Sequence, residues 1–438
     1  DGNITVSPDT TNKRVVLGLD ANVVTAAFRQ INANGVNVVA DNAIDTVEFI
    51  AGTGMTITGD SNAETITFAS TGGGGGGSTT FGGLSDTPSN FSGAAGKYLK
   101  VNSGASAIEL AASVLKLKPS DEIIVPSHTY CASAMPFTRY DAKIRWVDIN
   151  KDDFTLDVKH LKKIITKKTK AIVAVHLYGS PCDIISIKKI CKKKKIILIE
   201  DCAQSLGARI KNKYIGTYGD MSVFSFQQQK NMTTLGEGGM LIVNNKKFQK
   251  FIPGLRHNGH RAYANKKKYW KPAMVNVYED LEGVTPFNFP MTEIQACVGF
   301  YLLDRVKNLN DIRSRRAKMI KKELKKFKFI KFQKEKKNFY NSYHLLPAYI
   351  DRTIVNFSRD KLIDIMSKKY GIQLIIQYHP LDKYNFFKKK KNINNNLKNT
   401  YDFYKNMFSI PNHVWMSNKQ YQYIISSFKK ELNKIKIS

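Results

Sequence analysis

Short apolar runs recur along the whole chain, and the residues that separate them change near residue 100. Up to residue 71, β-rich runs such as RVVLGL and TITFAS alternate with turns of Asn, Gly, Asp and Thr. Regularly spaced short strands of this kind predict an all-β or fibrous segment. After residue 119, strand-like runs such as EIIVP and KAIVAV alternate with helix-like stretches such as DVKHLKKIITKK. That alternation predicts an open, largely parallel sheet with helices on both faces.

A glycine run separates the two patterns. The residues from Gly72 to Gly77 are all glycine, and residues 78–80 (STT) extend them into a stretch that predicts a flexible linker. The sequence that follows, FGGLSDTPSNFSGAAGKYLKVNSGASAIEL, resembles a short module common in bacteriophage tail and fibre proteins. Residues 1–71 carry a weaker resemblance of the same kind, and a generic β-rich appendage is the alternative interpretation.

Charge is distributed unevenly along the chain. The 68 Lys and Arg against 36 Asp and Glu give a net charge of +32. Residues 1–112 contain five basic and ten acidic residues, so the other 63 basic and 26 acidic residues give the remainder a net charge of +37. A basic surface attracts nucleic acids or anionic nucleotide-sugars. The lysines occur in KKKK runs beside many Asn and Ile, however, which favours solvated lysine faces over nucleic-acid binding.

The remaining composition indicates a protein of the cytoplasm without membrane contact. The five cysteines (131, 182, 191, 202 and 297) lack metal-type spacing and suggest reduced thiols. Cys202, beside Asp201, is interpreted as a small core residue. No apolar run approaches the ~20 residues of a membrane span, and DGNITVSPDT is not typical of a signal peptide. A functional fibre-like head would instead place the protein on a virion.

The stretch GDMSVFSFQQQKNMTTLGEGGM, at residues 219–240, contains the main candidate for chemistry. Lys230 lies in a polar turn between the strand-like runs MSVFSF and MLIV. Upstream, the run IILI ends in Glu200 and Asp201. Residues just past the carboxyl ends of parallel strands line the binding crevice of such sheets, so Asp201 and Lys230 are both expected there. An aspartate for a pyridinium nitrogen and a lysine for a Schiff base are the protein groups that pyridoxal phosphate chemistry requires.

The two stretches IEDCAQSLGA and GDMSVFSFQQQKNMTTLGEGG resemble the DegT/DnrJ/EryC1/StrS family of sugar aminotransferases, from about Val101 to the C terminus. The resemblance implies an α/β fold, the fold type I of pyridoxal 5'-phosphate (PLP) dependent transferases, with a smaller α+β C-terminal domain. The segments are then assigned as a β-rich fibre-like segment (1–71), a linker (72–80), a phage-tail-like module (81–100), a PLP-binding large domain (101–310) and a small domain (311–438).

The resemblance also implies roles for single residues around PLP. Lys230 corresponds to the lysine that binds the cofactor covalently and then acts as the general base, and Asp201 to the aspartate on the pyridine nitrogen. Tyr130 corresponds to the aromatic residue that stacks on the ring, with a core tyrosine as the alternative. Gln204 corresponds to the contact with the phenolic oxygen, and Ser225 to a phosphate-binding serine.

The motif Ser103-Gly104-Ala105-Ser106-Ala107 matches the family pattern Ser-Gly-Thr-x-Ala. In the family this turn opens a helix whose backbone N–H groups bind the cofactor phosphate, as helix N termini bind anions generally. The apolar spacing predicts the helix over SAIELAASVLKLK. Ala105 replaces the usual threonine, and whether Ser106 supplies the missing hydroxyl stays open. Family members also have an N-terminal helix before this motif, where this chain has fibre-like sequence.

Downstream motifs extend the resemblance. Asn258 in LRHNGH lies where some relatives contact the phosphate of a neighbouring subunit's cofactor, which implies a homodimer with shared active sites. Asn288 and Glu293 belong to a second closing motif, in which Pro290 replaces the arginine of many relatives. His379 in QYHPL is either near the substrate pocket or structural. His176, at the end of another strand, is expected to pack near the cofactor without acting as a catalyst.

The leading interpretation is transfer of an amino group to a nucleotide-linked keto-sugar, with glutamate as donor by family analogy, for amino-sugar or polysaccharide biosynthesis. The implied partners are therefore a nucleotide-sugar and an amino-acid donor. Sugar dehydratases of the family have histidine in place of the lysine, so Lys230 disfavours that reaction. The other alternative is a phage-associated structural or fibre protein with a truncated, inactive aminotransferase domain.

Overall fold

The computed structural model describes strands within residues 4–70 and then residues 98–259, 281–390, 392–393 and 396–436. The chain divides into two compact units, Asp1–Asp86 and Thr87–Ser438. The predicted linker at residues 72–80 and most of the predicted module at residues 81–100 lie outside the described residues.

The described part of the first unit consists of antiparallel strands. Their bounds are β1 (Ile4–Asp9), β2 (Arg14–Leu19), β3 (Gln30–Ala33), β4 (Val36–Val39), β5 (Thr46–Ile50), β6 (Met55–Asp60) and β7 (Thr65–Ser70). Strand β2 lies between β1 and β5 in one sheet, whereas β3–β4 and β6–β7 form two separate pairs. These strands coincide with the runs that the sequence pattern marks as β-rich, and the likeness to phage fibres stays a prediction.

A seven-stranded sheet forms the centre of the second unit. The strands of this unit are β8 (Tyr98–Val101), β9 (Glu122–Pro126), β10 (Lys143–Val147), β11 (Thr169–Val175), β12 (Ile197–Asp201), β13 (Arg209–Ile210), β14 (Lys213–Tyr214), β15 (Met221–Ser225), β16 (Gly239–Val243), β17 (Ile330–Phe332), β18 (Phe339–Tyr340), β19 (Leu346–Ile350) and β20 (Met407–Ile410). The large sheet has the order β10-β9-β11-β12-β15-β16-β8. Only β16 runs antiparallel to its neighbours in that sheet. The predicted, mostly parallel sheet is confirmed.

Helices cover both faces of this sheet, and the sheet separates two hydrophobic cores. The described helices are α1 (Gly104–Ser113), α2 (Val158–Ile164), α3 (Ile184–Lys194), α4 (Lys246–Gln249), α5 (Ile252–Arg256), α6 (Glu293–Leu303), α7 (Val306–Leu324), α8 (Arg359–Tyr370), α9 (Asn385–Lys389), α10 (Lys398–Asn406) and α11 (Asn418–Leu432). Along β9, Ile123 and Val125 join the core under α1, whereas Ile124 joins the core under α3. Every residue of β9 is buried, as expected for a strand covered on both faces.

A third core belongs to the C-terminal part of the chain. Strands β17, β19 and β20 form an antiparallel sheet on which α7, α8 and α11 pack their apolar residues. Helix α11 begins with a capping box between Ser417 and Gln420. This part has the α+β composition predicted for the small domain. The predicted boundary between residues 310 and 311, however, falls within the continuous helix α7, and the division into these two domains stays a prediction.

Two details at the start of the second unit differ from the sequence pattern. Strand β8 begins at Tyr98 and pairs with β16, so the large sheet extends into the segment assigned to the phage-tail-like module. Helix α1 ends at Ser113, although the predicted helix continued to Lys118, because Lys116 has a positive φ of 49° that breaks the helix. Within the described ranges, no helix is long and apolar enough to cross a membrane.

Candidate active site

The carboxyl ends of the parallel strands bring the predicted site residues to one edge of the large sheet. Asp201 is the last residue of β12 and lies in register with Val175 of β11 on one side and Val223 of β15 on the other. Ser225 ends β15, and Ser103 follows the end of β8. Residues far apart in sequence therefore meet at the edge where α/β sheets bind ligands.

Asp201 is buried, with only 7% of its surface exposed. The hydroxyl of Ser133 donates to Oδ2 at 2.6 Å, and the backbone N–H of Ala203 donates to Oδ1 at 3.1 Å. These two hydrogen bonds fix the plane of the carboxylate. A carboxylate held in this way is preorganised to bind a cationic nitrogen.

Lys230 lies in the turn between β15 and β16. The turn is closed by hydrogen bonds from Phe226 N to the Gly238 oxygen and from Gln228 N to the Gly236 oxygen, each 2.7 Å long. Gly236 has a φ of +104°, a conformation that residues with a Cβ rarely adopt. The turn therefore needs glycine at this point to return the chain into β16.

The ammonium of Lys230 is partly buried. Burial lowers its pKa, and the negative charges of Asp201 and Glu237 oppose that shift without cancelling it. Lys230 forms no ion pair with any described residue. A larger fraction of neutral amine is consequently present near pH 7 than for a surface lysine, and only the neutral amine is nucleophilic.

The N terminus of α1 and strand β15 come into close contact through glycine. A Cβ built on Gly104 would lie 2.6 Å from Ser225 Cβ, and one built on Gly239 would lie 2.5 Å from the Ser103 carbonyl oxygen. The Ser225 hydroxyl is thereby held next to the first turn of α1. Helix N termini present free N–H groups to anions, so this arrangement forms a candidate phosphate site.

The first turn of α1 is fixed by its own serines. Ser103 is the N-cap, and its hydroxyl oxygen accepts from Ser106 N at 3.0 Å. The Ser106 hydroxyl donates to Oδ1 of Asn102. Ala105 is exposed and contributes only its backbone N–H. The Ser106 hydroxyl is thus held by Asn102 in this structure, and its role as a substitute for the threonine hydroxyl stays a prediction.

Tyr130 and Gln204 are far apart in the sequence, but both contact Tyr378. Tyr130 is 56% exposed, which excludes the core tyrosine alternative, and its ring lies edge-on to Tyr378 at 5.9 Å between centroids. Gln204 is buried: its Oε1 accepts from Tyr178 N, and its Nε2 donates to the Tyr378 hydroxyl, both at 2.8 Å. One amide proton of Gln204 remains for a ligand.

The closing motifs lie next to the start of α1. The backbone oxygen of Phe289 accepts from Asn102 N at 2.9 Å, which attaches this segment to the end of β8. Asn258 has a φ of 46° and donates from its backbone N–H to the Phe287 oxygen at 2.8 Å. Asn288 and Glu293 are exposed. The contact of Asn258 with a second subunit stays a prediction.

His176 belongs to a buried cluster with Glu200 and Cys202. Among the described residues these three side chains are close enough together to hold a metal ion. The carboxylate of Glu200, however, already accepts backbone N–H groups from the loop 216–219 as well as His176 Nε2. The other ring nitrogen of His176 accepts from Cys182 N at 3.1 Å. The cluster is therefore satisfied internally and fixes the loop below the site.

His379 is exposed and lies against aromatic rings. Its ring centroid is 5.4 Å from that of Tyr384 and 5.0 Å from that of Tyr404. Neighbouring Tyr378, which the sequence did not single out, instead contacts Gln204 and Tyr130. The sequence reasoning likewise missed Ser133, Asn231 and His344. Their contacts join segments far apart in the chain, and no local spacing identifies them.

These residues fit PLP. The anion site at α1 suits its phosphate, the carboxylate of Asp201 suits its protonated ring nitrogen, and the partly neutral amine of Lys230 suits its aldehyde. All three groups lie at the same edge of the sheet. The fit rests on the close contacts of Gly104 and Gly239 and on the chemistry of Asp201 and Lys230.

This chain is similar to known proteins over most of its length. Residues 88–429 match the model of the DegT/DnrJ/EryC1/StrS aminotransferase family. The chain is 30% identical over 322 residues to an uncharacterized protein of Methanocaldococcus jannaschii, an alignment that covers 74% of this chain and 79% of that protein. It is 35% identical over 222 residues to GDP-perosamine synthase of Escherichia coli O157:H7, covering 51% of this chain and 57% of that enzyme. The alignment to this synthase thus spans less than two thirds of its length.

Solved structures of similar fold cover a larger share of the chain. An aminotransferase from Psychrobacter cryohalolentis has a TM-score of 0.71 at 23% identity, covering 79% of this chain and 90% of its own. The PLP form of a putative sugar aminotransferase from Streptococcus pneumoniae has a TM-score of 0.66 at 27% identity, covering 77% and 87%. With the family model matched over most of its length, this chain belongs to the DegT/DnrJ/EryC1/StrS aminotransferase family, whose members depend on PLP.

Proposed function

We propose that this chain transfers an amino group from an amino-acid donor to the carbonyl group of a nucleotide-linked keto-sugar. The observation that carries the proposal is the position of Lys230 and Asp201 at one sheet edge, together with the anion site at α1. When bound, PLP supplies an electron sink that stabilises the carbanion formed at the amino carbon. The work of the chain is to hold that group and to move protons.

Lys230 would hold the cofactor and then serve as the general base. Its lowered pKa favours both roles, because a neutral amine attacks an aldehyde and also accepts a proton. Asp201 would hold the proton on the ring nitrogen through its fixed carboxylate. Ser103, Gly104, Ala105 and Ser225 would bind the phosphate.

Gln204 and Tyr130 would position the ring from the other side. The free amide proton of Gln204 can donate to the phenolic oxygen while Tyr178 and Tyr378 fix the amide. Tyr130 is exposed at the same opening and offers its ring for stacking.

The names of the relatives support a nucleotide-linked sugar as the substrate. GDP-perosamine synthases of Escherichia coli and Vibrio cholerae are similar to this chain, and so is a dTDP-3-amino-3,4,6-trideoxy-alpha-D-glucose transaminase of Streptomyces venezuelae. All three names refer to amino-sugars attached to a nucleotide. A Bacillus subtilis spore coat polysaccharide biosynthesis protein is a further relative, which supports a role in polysaccharide biosynthesis.

Three finer features belong to the proposal. Glutamate is the amino donor, and the active enzyme is a homodimer in which Asn258 contacts the cofactor phosphate of the second subunit. What supports a place for Asn258 near the phosphate is its backbone N–H, which donates to Phe287, in the same segment as the Phe289 oxygen that accepts from Asn102 before α1. The fibre-like segment at residues 1–71 is an appendage that cofactor binding does not require.

The alternative of a fibre protein with an inactive enzyme domain is not favoured. The family match covers residues 88–429, and the close contacts of Gly104 and Gly239 support an intact phosphate site beside Lys230 and Asp201. A relative from Yersinia pseudotuberculosis is named as a GDP-4-keto-6-deoxy-D-mannose 3-dehydratase. The lysine at position 230 favours amino transfer over dehydration.

The direct test is an assay of the purified protein with PLP, glutamate and GDP-4-keto-6-deoxy-mannose. Formation of an amino-sugar nucleotide together with 2-oxoglutarate, and its loss in Lys230→Ala, would support the proposal. A panel of GDP-, UDP- and dTDP-linked keto-sugars distinguishes an enzyme that aminates a different sugar from one that does not transfer amino groups. Absence of amino transfer with every member of the panel would contradict it.

A further inference from the structure

Asn231, the residue after Lys230, is held by residues that lie 79 to 113 positions further along the chain. Its Nδ2 donates to Oδ1 of Asn310 at 2.7 Å and to the backbone oxygen of Ser342 at 2.9 Å. Its Oδ1 lies 3.2 Å from Nδ1 of His344. All four residues are buried. The turn that carries the lysine is therefore attached to α7 and to the segment before β19.

This network determines which atom of each amide donates. Backbone oxygens only accept, so the Ser342 oxygen requires the nitrogen of Asn231 on its side. The Leu206 oxygen likewise accepts from Asn310 Nδ2 at 2.8 Å, which turns the oxygen of Asn310 towards Asn231. Neither amide can be reversed without losing these bonds. The Oδ1 of Asn231 must therefore accept, and Nδ1 of His344 must carry a proton.

The ring of His344 is neutral near pH 7. Burial, followed by the positive charges of Lys230 and Arg313, holds its pKa well below the ordinary range. Arg313 Nη1 donates to the backbone oxygen of His344 at 3.3 Å and to that of Asn412 at 2.8 Å. A neutral ring with its proton on Nδ1 has an unprotonated Nε2, which can accept a hydrogen bond but adds no charge beside the lysine.

We propose that Asn231 is a positioning residue for amino transfer: it fixes the turn of Lys230 against α7 and holds His344 in the Nδ1–H tautomer. The inference rests on the proposed function and specifies how its lysine is kept in place. Among the described residues, Asp201 and Glu237 stabilise the ammonium of Lys230, whereas neutral His344 is exposed to the positive charges of both Lys230 and Arg313. Of these, His344 is oriented by Asn231 itself.

The loss of this contact should affect the chemical step more than substrate binding. Asn231→Ala removes two donated hydrogen bonds and the acceptor for His344 without adding bulk. Because a small misplacement of a reacting group can cost up to ~10²-fold in rate, we expect kcat to fall about 10- to 100-fold and KM for the nucleotide-sugar to stay within about threefold. Asn310→Ala, which leaves the Ser342 and His344 contacts, should lower kcat by less.

The tautomer is read directly from nitrogen-15 NMR spectra of histidine-labelled full-length protein without cofactor, with His344→Gln used for assignment. The wild type should show His344 protonated at Nδ1, and Asn231→Ala should lose this fixed tautomer. Asn244→Ala is the matched control, because it also removes an amide hydrogen bond, to the Gly219 oxygen, away from the site. It should change neither the His344 signal nor kcat.

Two results would overturn the inference. Protonation of His344 at Nε2 in the wild type contradicts the network, whether or not any variant folds. An unchanged kcat in a folded Asn231→Ala protein contradicts the positioning role. Because the NMR measurement needs neither cofactor nor substrate, it decides the tautomer even if the protein fails to aminate every sugar offered, which would be a failure of the proposed function alone.

Discussion

At the scale of residues, the orientation of the Asp201 carboxylate is fixed by its two hydrogen-bond donors, Ser133 and Ala203. Asp201→Asn keeps the shape but removes the negative charge, so the ring nitrogen of the cofactor loses its partner. Removal of such an electrostatic group commonly costs ~10²-fold or more in turnover, and we expect a loss of that size with little change in melting temperature. Ser133→Ala, which removes one of the two donors, should give a smaller loss. Turnover near the wild-type value in Asp201→Asn would show that Asp201 is structural only.

The lowered pKa of Lys230 gives a pH dependence with a definite sign. Only the neutral amine reacts with PLP, so the rate at which the cofactor-free protein binds PLP should rise with pH and then reach a plateau. The midpoint of this rise should lie below that of a surface lysine. Glu237→Gln removes a negative charge that stabilises the ammonium, so the midpoint should move further down. The midpoint is obtained by measuring, at a series of pH values, the rate at which the visible absorbance increases after PLP is added.

Glu282→Gln is the control for that titration. Glu282 is also an exposed carboxylate, but it pairs with Lys116 and Lys250 rather than with Lys230. Its removal should leave the midpoint where it is. A midpoint for the wild type equal to that of a free surface lysine, or an upward shift in Glu237→Gln, would contradict the electrostatic account.

At the scale of elements, the close contact of α1 with β15 depends on the missing side chain of Gly104. Gly104→Ala would place a Cβ 2.6 Å from Ser225 Cβ, so the helix start or the strand end must move. Because the phosphate site is formed by both, we expect the cofactor dissociation constant to rise at least tenfold, measured by fluorescence titration.

Gly371→Ala separates this effect from a general loss of stability. Gly371 follows α8 with a φ of +61°, so alanine is strained there, but its built Cβ has no atom within 4 Å. That change should lower the melting temperature and leave cofactor affinity as it is. If Gly104→Ala binds PLP as tightly as the wild type, the phosphate does not lie at this contact.

The elements show how far sequence reasoning extends. The buried strands β9, β12 and β15 were predictable because each contains a short apolar stretch within an alternation of strand-like and helix-like segments. Asp201 ends β12 and Lys230 follows β15, as the sequence pattern predicts. Strand β8 was not recognised, because the four residues YLKV alternate only once and their partner β16 lies about 140 residues away. The contacts of Asn231 with His344 follow from the docking of the small domain, which no local pattern encodes.

At the scale of the whole molecule, the division into Asp1–Asp86 and Thr87–Ser438 predicts where the chain can be shortened. Deletion of residues 1–77 should leave cofactor binding unchanged, because β8 and α1 remain. Deletion through Ala107 should abolish it, since both the edge strand and the start of α1 are lost. Both are measured by absorbance after purification with PLP. Loss of the cofactor in the shorter deletion would show that the head supports the enzyme and that the boundary is misplaced.

The central claim is that Lys230 binds PLP covalently. The full-length protein is incubated with PLP, reduced with borohydride, digested and mapped by mass spectrometry. Reduction should shift the visible absorbance to shorter wavelength and leave the pyridoxyl group on the peptide that contains Lys230, whereas Lys230→Ala should carry none there. Modification at another lysine, or at none among the many lysines of this chain, would contradict the account.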